Sequence, residues 1–173
     1  VVALGSGGTA AGLLAGCRAA RLGSTLGAVS VFTRSAWAAR GLVLPLAAKL
    51  AQVTGQRVGW RALARELLVD TGELGRGYGW GTAASEIATA IGARGGLELD
   101  PTYTAKAFAA ALRRLGCPEM AAVPAGRPAP LTRAGTRDDR PLRVLYWHTL
   151  SSLPLGPLLE RAPERATPSP ALR

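Results

Sequence analysis

The sequence predicts an α/β protein. Three observations carry that expectation. The chain opens on an apolar strand that runs through a glycine-rich turn straight into a helix. Short apolar runs of strand type then alternate with longer stretches whose apolar residues recur at helical spacing. Gly, Pro or an Asp-Pro pair punctuates the joins.

Val1-Val2-Ala3-Leu4 is the first strand, followed by the turn Gly5-Ser6-Gly7-Gly8-Thr9 and a helix over 9–22. Gly12 and Gly16 lie one turn apart on that helix and leave room for close packing on a sheet. Leu26 to Phe32 reads as the second strand and Trp37 to Gln52 as the second helix. A third helix is expected from Val58 to Val69, because Trp60, Leu63, Leu67 and Leu68 recur at helical spacing. Residues 70–81 form a loop rich in Gly and aromatics, and 83–94 another helix. Asp100-Pro101 is a cap followed by proline, opening a helix that ends near Leu115 and stops at Gly116. Cys117 to Pro141 is a Pro/Arg/Ala-rich connector without periodicity, and Leu142 to Trp147 a last buried strand. From Pro154 onward the Pro and Arg content reads as a disordered tail, so one domain is expected over 1–153 with 154–173 as the tail. No internal repeat is visible.

The opening turn matters most for function. Between a strand and a helix it leaves backbone N–H groups and the positive end of the helix dipole aimed at one spot, a ready anion site. The hydroxyls of Ser6 and Thr9 add donors. It is not a Walker P-loop, since no Gly-Lys-Ser/Thr follows. It fits a loose dinucleotide fingerprint through Gly5, Gly7 and Ala10, but no acidic residue occurs before Glu66. Arg34, at the end of the next strand, suits a 2′-phosphate, which leaves a nicotinamide-phosphate cofactor open. A third reading is a cradle for pyridoxal phosphate, and a fourth is a glycine turn that binds nothing.

The 173 residues suit one domain, and a hydrophobic content of 48% fits a globular chain whose apolar runs break before membrane-spanning length. The net charge of +10 looks like a nucleic-acid signal. All the basic residues except Lys49 and Lys106 are arginines, however. They are scattered, and aromatics make up only 5%. That pattern fits biased codon usage better than a basic groove with stacking platforms, so neither nucleic acid nor membrane is expected as a partner. Cys17 and Cys117 have no metal spacing and read as buried thiols of a cytoplasmic protein. Leu13-Leu14-Ala15-Gly16-Cys17 matches a lipoprotein cleavage box but lacks the basic start of a signal peptide. The chain starts inside a strand without Met, so a missing upstream part is expected.

Three ordered motifs carry a resemblance. They are Gly77-Tyr78-Gly79, then Leu99-Asp100-Pro101-Thr102-Tyr103-Thr104-Ala105-Lys106-Ala107, then Val144-Leu145-Tyr146-Trp147-His148-Thr149. Together they resemble the C-terminal half of the D-cysteine desulfhydrase and 1-aminocyclopropane-1-carboxylate deaminase family. These are pyridoxal-phosphate enzymes of fold type II, the tryptophan-synthase-β-like fold. The likeness covers most of residues 1–150, with Gly5-Ser6-Gly7-Gly8-Thr9 at the family's phosphate loop and Phe32-Thr33-Arg34 at its Val-Ser-Arg strand end. It implies a three-layer αβα domain with a mostly parallel sheet, here in part. Ser6, Gly7, Gly8 and Thr9 would hold the cofactor phosphate. Tyr78 and Tyr103 would line the substrate site. Thr104 would stand beside the pyridine nitrogen, where the deaminases have Glu and the desulfhydrases Thr. A Thr hydroxyl donating to an unprotonated ring leans the expectation towards β-elimination.

The departures have consequences too. Leu150-Ser151-Ser152 replaces the family's glycines after His148-Thr149, Ala105 replaces the motif glycine, and Arg94-Gly95-Gly96 is one residue short of the family's stretch. The family's Schiff-base lysine lies in the N-terminal half, which this sequence does not contain. Lys106 matches a family lysine with another place, and Lys49 falls in an amphipathic helix. The expectation is therefore a C-terminal fragment of a lyase or deaminase for a small amino acid, inactive alone, cytoplasmic, and a homodimer when joined to its N-terminal half. Two other readings stand beside it: a non-catalytic α/β protein that keeps the cradle to bind a phosphate ligand, and an NADP-dependent oxidoreductase resting on Gly5, Gly7, Ala10 and Arg34.

Overall fold

The structure is a computed structural model and describes residues 1–124 and 142–149. Three short apolar segments, β1 (Val2–Leu4), β2 (Leu26–Ser30) and β3 (Leu67–Asp70), pair in parallel in the order β1-β2-β3. Val2 stands opposite Ala28, and Leu26 opposite Leu67. Because side chains alternate across a strand, the register sorts the core into two halves. Val2, Leu4, Leu26, Ala28, Leu67 and Val69 face α1 (Gly8–Ala19), α2 (Ala36–Val53) and α3 (Trp60–Glu66). Ala3 and Val29 face α5 (Thr104–Arg114), meeting Ala107 and Ala110. Behind α5 lie α4 (Ala83–Arg94) and the single turn α6 (Pro118–Ala121), joined through Ala84, Ala88, Ala109 and Met120. Helices thus cover both faces, as a parallel sheet requires, and the expected three-layer α/β arrangement is what forms.

Local chemistry explains the helix starts. Thr82 and Ser85 form a reciprocal capping box for α4, with the Thr82 hydroxyl accepting from the Ser85 N–H at 3.0 Å and the Ser85 hydroxyl from the Thr82 N–H at 2.7 Å. Ser35 caps α2 by accepting from the Ala38 N–H at 3.1 Å. The start of α5 differs from the expectation. It begins at Thr104, not Pro101, because the Asp100 carboxylate first gathers the N–H groups of Thr102, Tyr103 and Thr104 at 2.8–3.0 Å into a turn.

Two further expectations need correction. The helix read over 58–69 ends at Glu66, and Leu67–Asp70 is β3. Leu67 and Leu68 satisfy both periods, and pairing with β2 in the centre of the core overrides the helical one. Residues 142–147 do not form a buried strand. They run extended beside the start of β1, where the Val1 amino group donates to the Leu145 carbonyl at 2.6 Å and the Trp147 N–H to the Val1 carbonyl at 2.8 Å. Val1 precedes β1, so two bonds form and no ladder follows. Val144, Tyr146 and His148 turn inward while Leu145 and Trp147 face solvent. The two cysteines are free and half-buried. No helix of the described residues is long and apolar enough to cross a membrane. Leu150-Ser151-Ser152, most of the connector and the expected tail over 154–173 lie outside the described residues.

Candidate functional site

The glycine turn and the start of α5 are about 95 residues apart in sequence and meet at the C-terminal end of β1. Between them lies a cavity of about 350 Å³. Gly5, Ser6, Gly7 and Thr9 form one wall, Asp100, Tyr103 and Thr104 the other, and Thr149 closes part of the rim. A larger open hollow of about 950 Å³ lies between α1 and the α2–α3 side, beside the Arg18–Glu66 ion pair. It contains none of the site residues expected from the sequence, so the smaller cavity is the candidate site.

The cradle wall is built by backbone. Gly7 sits at φ 87°, a left-handed conformation that a side chain resists, and turns the chain from strand to helix. A Cβ there would also press on Leu42 of α2 at 3.0 Å. The first bond into α1 runs from the Ala11 N–H to the Gly7 carbonyl at 2.8 Å. By helix geometry the N–H groups of Gly8, Thr9 and Ala10 have no intrahelical acceptor. The first turn of α1 carries no acidic side chain. An anion here meets aligned N–H dipoles and no opposing carboxylate on that helix. Gly8 contributes through its backbone alone and does not line the cavity itself.

The second wall holds the polar side chains. The Tyr103 ring packs so close to Gly5 that a Cβ on Gly5 would come within 2.9 Å of it. Tyr78 lies outside the cavity at its mouth, 59% exposed. Its hydroxyl meets that of Tyr103 at 2.5 Å, with the rings edge to face at 81° and 5.7 Å between centroids. The hydrogen bond with Tyr78 raises the pKa of Tyr103. Thr104 is buried. Its hydroxyl donates to Asp100 Oδ2 at 2.5 Å and accepts from the Asp100 N–H at 2.7 Å. Burial opposes ionisation of Asp100, but the bonds from the Thr104 hydroxyl and from the N–H groups of Thr104, Tyr103 and Thr102 outweigh it and hold its pKa below the ordinary value. The Tyr146 hydroxyl donates to the Thr104 carbonyl at 3.1 Å, and burial pushes its pKa up to about 12.

Of the expected site residues, the fold brings Ser6, Gly7, Thr9, Tyr103 and Thr104 around one cavity, with Tyr78 at its mouth. Asp100 reads in the sequence as a helix cap only. The structure adds that it lines the cavity and anchors Thr104, a role foreshadowed by the Asp-to-Thr spacing of one helical turn. Neither lysine lines the cavity. Lys49 is exposed on α2, and Lys106 is buried on α5 with its amine turned to the Leu74 and Gly77 carbonyls. Arg34 does not line the cavity and donates to the Gly75 carbonyl at 2.6 Å.

No protein-family model and no curated protein matches the chain. Its fold is an α/β arrangement shared with solved structures, among them a crystal structure described as an ACC deaminase homologue. That protein is 33% identical with a TM-score of 0.54, and the match covers 67% of this chain and 34% of the other. The chain therefore spans about a third of its relative's length. At this level of identity and overlap the likeness shows a shared α/β fold with that structure.

Proposed function

We propose that residues 1–149 are the phosphate-cradling part of a pyridoxal-phosphate enzyme acting on a small amino acid. The observation that supports this best is the cavity itself, because it joins the Ser6–Thr9 loop to Tyr103 and Thr104 of the Asp-Pro-Thr-Tyr-Thr motif. The residues present fit the phosphate end of the group. Gly7 gives the left-handed turn that aims the loop amides, Gly5 lets the Tyr103 ring close against the loop, and the α1 N-terminus supplies donors of the right sign. When bound, pyridoxal phosphate supplies the electron sink for a carbanion at the amino-acid Cα. The reaction class is desulfhydrase-like β-elimination, in which D-cysteine and one water give pyruvate, sulfide and ammonia, or deamination of aminocyclopropanecarboxylate.

Within that reading the loop amides bind and orient the phosphate, Tyr103 and Tyr78 face the substrate, and Asp100 holds Thr104 in one rotamer. The Thr104 hydroxyl gives its one proton to Asp100. It thereby offers a lone pair to a protonated ring nitrogen, and donation to an unprotonated ring requires it to turn away from Asp100. The covalent amine comes from a segment outside this sequence, since neither Lys49 nor Lys106 reaches the cavity. That same observation favours the second reading, a binding protein that holds a phosphate ligand without chemistry.

Calorimetry with pyridoxine 5′-phosphate and with pyridoxine tests the proposal, because neither carries an aldehyde that could label stray amines. The phosphate ester is expected to bind weakly, and pyridoxine at least about tenfold more weakly still. Equal affinities would remove the cradle from the account. Pyridoxal phosphate followed by borohydride should leave no stoichiometric label on Lys49 or Lys106. Stoichiometric labelling of either lysine would overturn the assignment of the amine to another segment.

A further inference from the structure

The segment 71–81 between β3 and α4 carries Tyr78 to the cavity mouth, yet its own hydrogen bonds hold it poorly. Leu74 N–H reaches the Thr71 carbonyl at 3.4 Å, Gly77 N–H the Leu74 carbonyl at 3.3 Å and Trp80 N–H the Gly77 carbonyl at 3.4 Å. All three lie beyond the usual amide range. Gly77, next to Tyr78, is at φ 137°, where glycine leaves the backbone free to take other conformations.

One buried side chain opposes that freedom. Lys106 of α5 is fully enclosed, and its Nζ donates to the carbonyls of Leu74 at 2.9 Å and Gly77 at 3.0 Å. These are the carbonyls that close two of the long turns. Hydrogen bonds from a charged donor are stronger than the stretched neutral turn bonds they back up. Burial pushes the Lys106 pKa down, and the nearby Glu73 carboxylate pushes it back up. Glu73 is itself buried and bonded to Arg113 at 2.6 Å, so the ammonium depends on the loop carbonyls for its hydrogen bonds. Tyr103 stands three residues before Lys106, at the head of the same helix. Together with the Glu73–Arg113 ion pair, Lys106 therefore ties the segment bearing one tyrosine to the helix bearing the other, and of the two ties it is the one that holds the Leu74 and Gly77 turns beside Tyr78.

We infer that Lys106 is a positioning residue that clamps segment 71–81 to α5 through the Leu74 and Gly77 carbonyls and so fixes the Tyr78–Tyr103 hydroxyl pair at the cavity mouth. The functional meaning of the clamp rests on the proposed reading of that pair as substrate-facing. It gives the last residue of Tyr103-Thr104-Ala105-Lys106 a task that the phosphate cradle leaves unassigned.

Lys106→Met and Lys106→Gln test it in the full chain, since both are neutral and one atom too short to reach the carbonyls. Hydrogen exchange of the Gly77 and Trp80 amides should quicken about tenfold or more while the amides of α1 keep their protection. Tyr103 should ionise at lower pH, Tyr78→Phe should shift it the same way, and combining Tyr78→Phe with Lys106→Met should add nothing. That non-additivity separates positioning from a general loss of stability. Unchanged loop exchange and unchanged Tyr103 ionisation in both variants, or equal quickening in α1, would overturn the clamp. Should neither variant fold, the wild-type chain still answers. Slowly exchanging Lys106 Nζ protons, coupled through hydrogen bonds to the Leu74 and Gly77 carbonyl carbons, support the clamp, and fast exchange refutes it. Saturation-transfer contacts between D-serine and Tyr103, with pyridoxine 5′-phosphate present, test the underlying reading separately. Contacts that persist unaltered after the loop loosens leave the clamp standing and remove the pair's substrate role.

Discussion

Thr104 has one hydroxyl proton, and the Asp100 carboxylate takes it at 2.5 Å while also accepting three backbone N–H groups. Asp100→Asn keeps the shape and removes the charge that makes those bonds strong. The variant should lose about 1 kcal/mol near neutral pH, a value limited by solvent screening at a partly exposed carboxylate. The pH dependence has a definite sign. The pKa of folded Asp100 is depressed, so its contribution is complete above the unfolded value of 3.8 and disappears as pH falls through the lower folded value. Denaturant unfolding of both proteins should therefore show a gap near neutrality that closes in acid. A gap independent of pH would mean the carboxylate charge does not hold this turn.

Among the elements, β2 depends on a close approach that its sequence hides. Arg114 of α5 crosses the sheet over Gly27, where a Cβ would run into a guanidinium nitrogen, and reaches Asp70 at the end of β3 at 3.0 Å. Arg114 is largely buried in that pair, so it cannot swing aside without leaving Asp70 unpaired. Gly27→Ala should destabilise the chain by about 1–3 kcal/mol, read from the urea midpoint, and Arg114→Met should remove most of the difference between the two residues at 27. Equal penalties in both backgrounds would contradict the contact. This geometry also explains what the sequence made legible. β1 and the glycine turn follow from local signals, a short apolar run broken at once by glycines, whereas the Thr82–Ser85 box that starts α4 emerges only in the structure. β3 was hidden because Leu67 and Leu68 fit a helix as well as a strand, and only pairing with Leu26 and Gly27 decides between them. The cradle and Thr104 were legible as motifs. The ties made by Asp100 and Lys106 depend on contacts across folded turns and helices, which spacing alone does not specify.

At the scale of the whole molecule, three parallel strands are covered on both faces, but β3 pairs only with β2 among the described residues. Apolar side chains also face solvent, with Trp37 84% and Val53 74% exposed on α2. Open parallel edges and apolar surface favour association. Light scattering should find the isolated chain above monomer mass at micromolar concentration. A monomer that unfolds cooperatively with roughly 5–15 kcal/mol would instead fit a self-sufficient binding domain. The central claim is that the turn from β1 into α1 is a phosphate cradle that works with the start of α5. Amide chemical-shift mapping of the labelled chain with pyridoxine 5′-phosphate tests it most directly. The account predicts that the largest shifts fall on Gly7, Gly8, Thr9 and Thr104. Shifts centred on Arg18, Arg21 and Arg57 around the larger hollow, with the cradle amides unmoved, would contradict it.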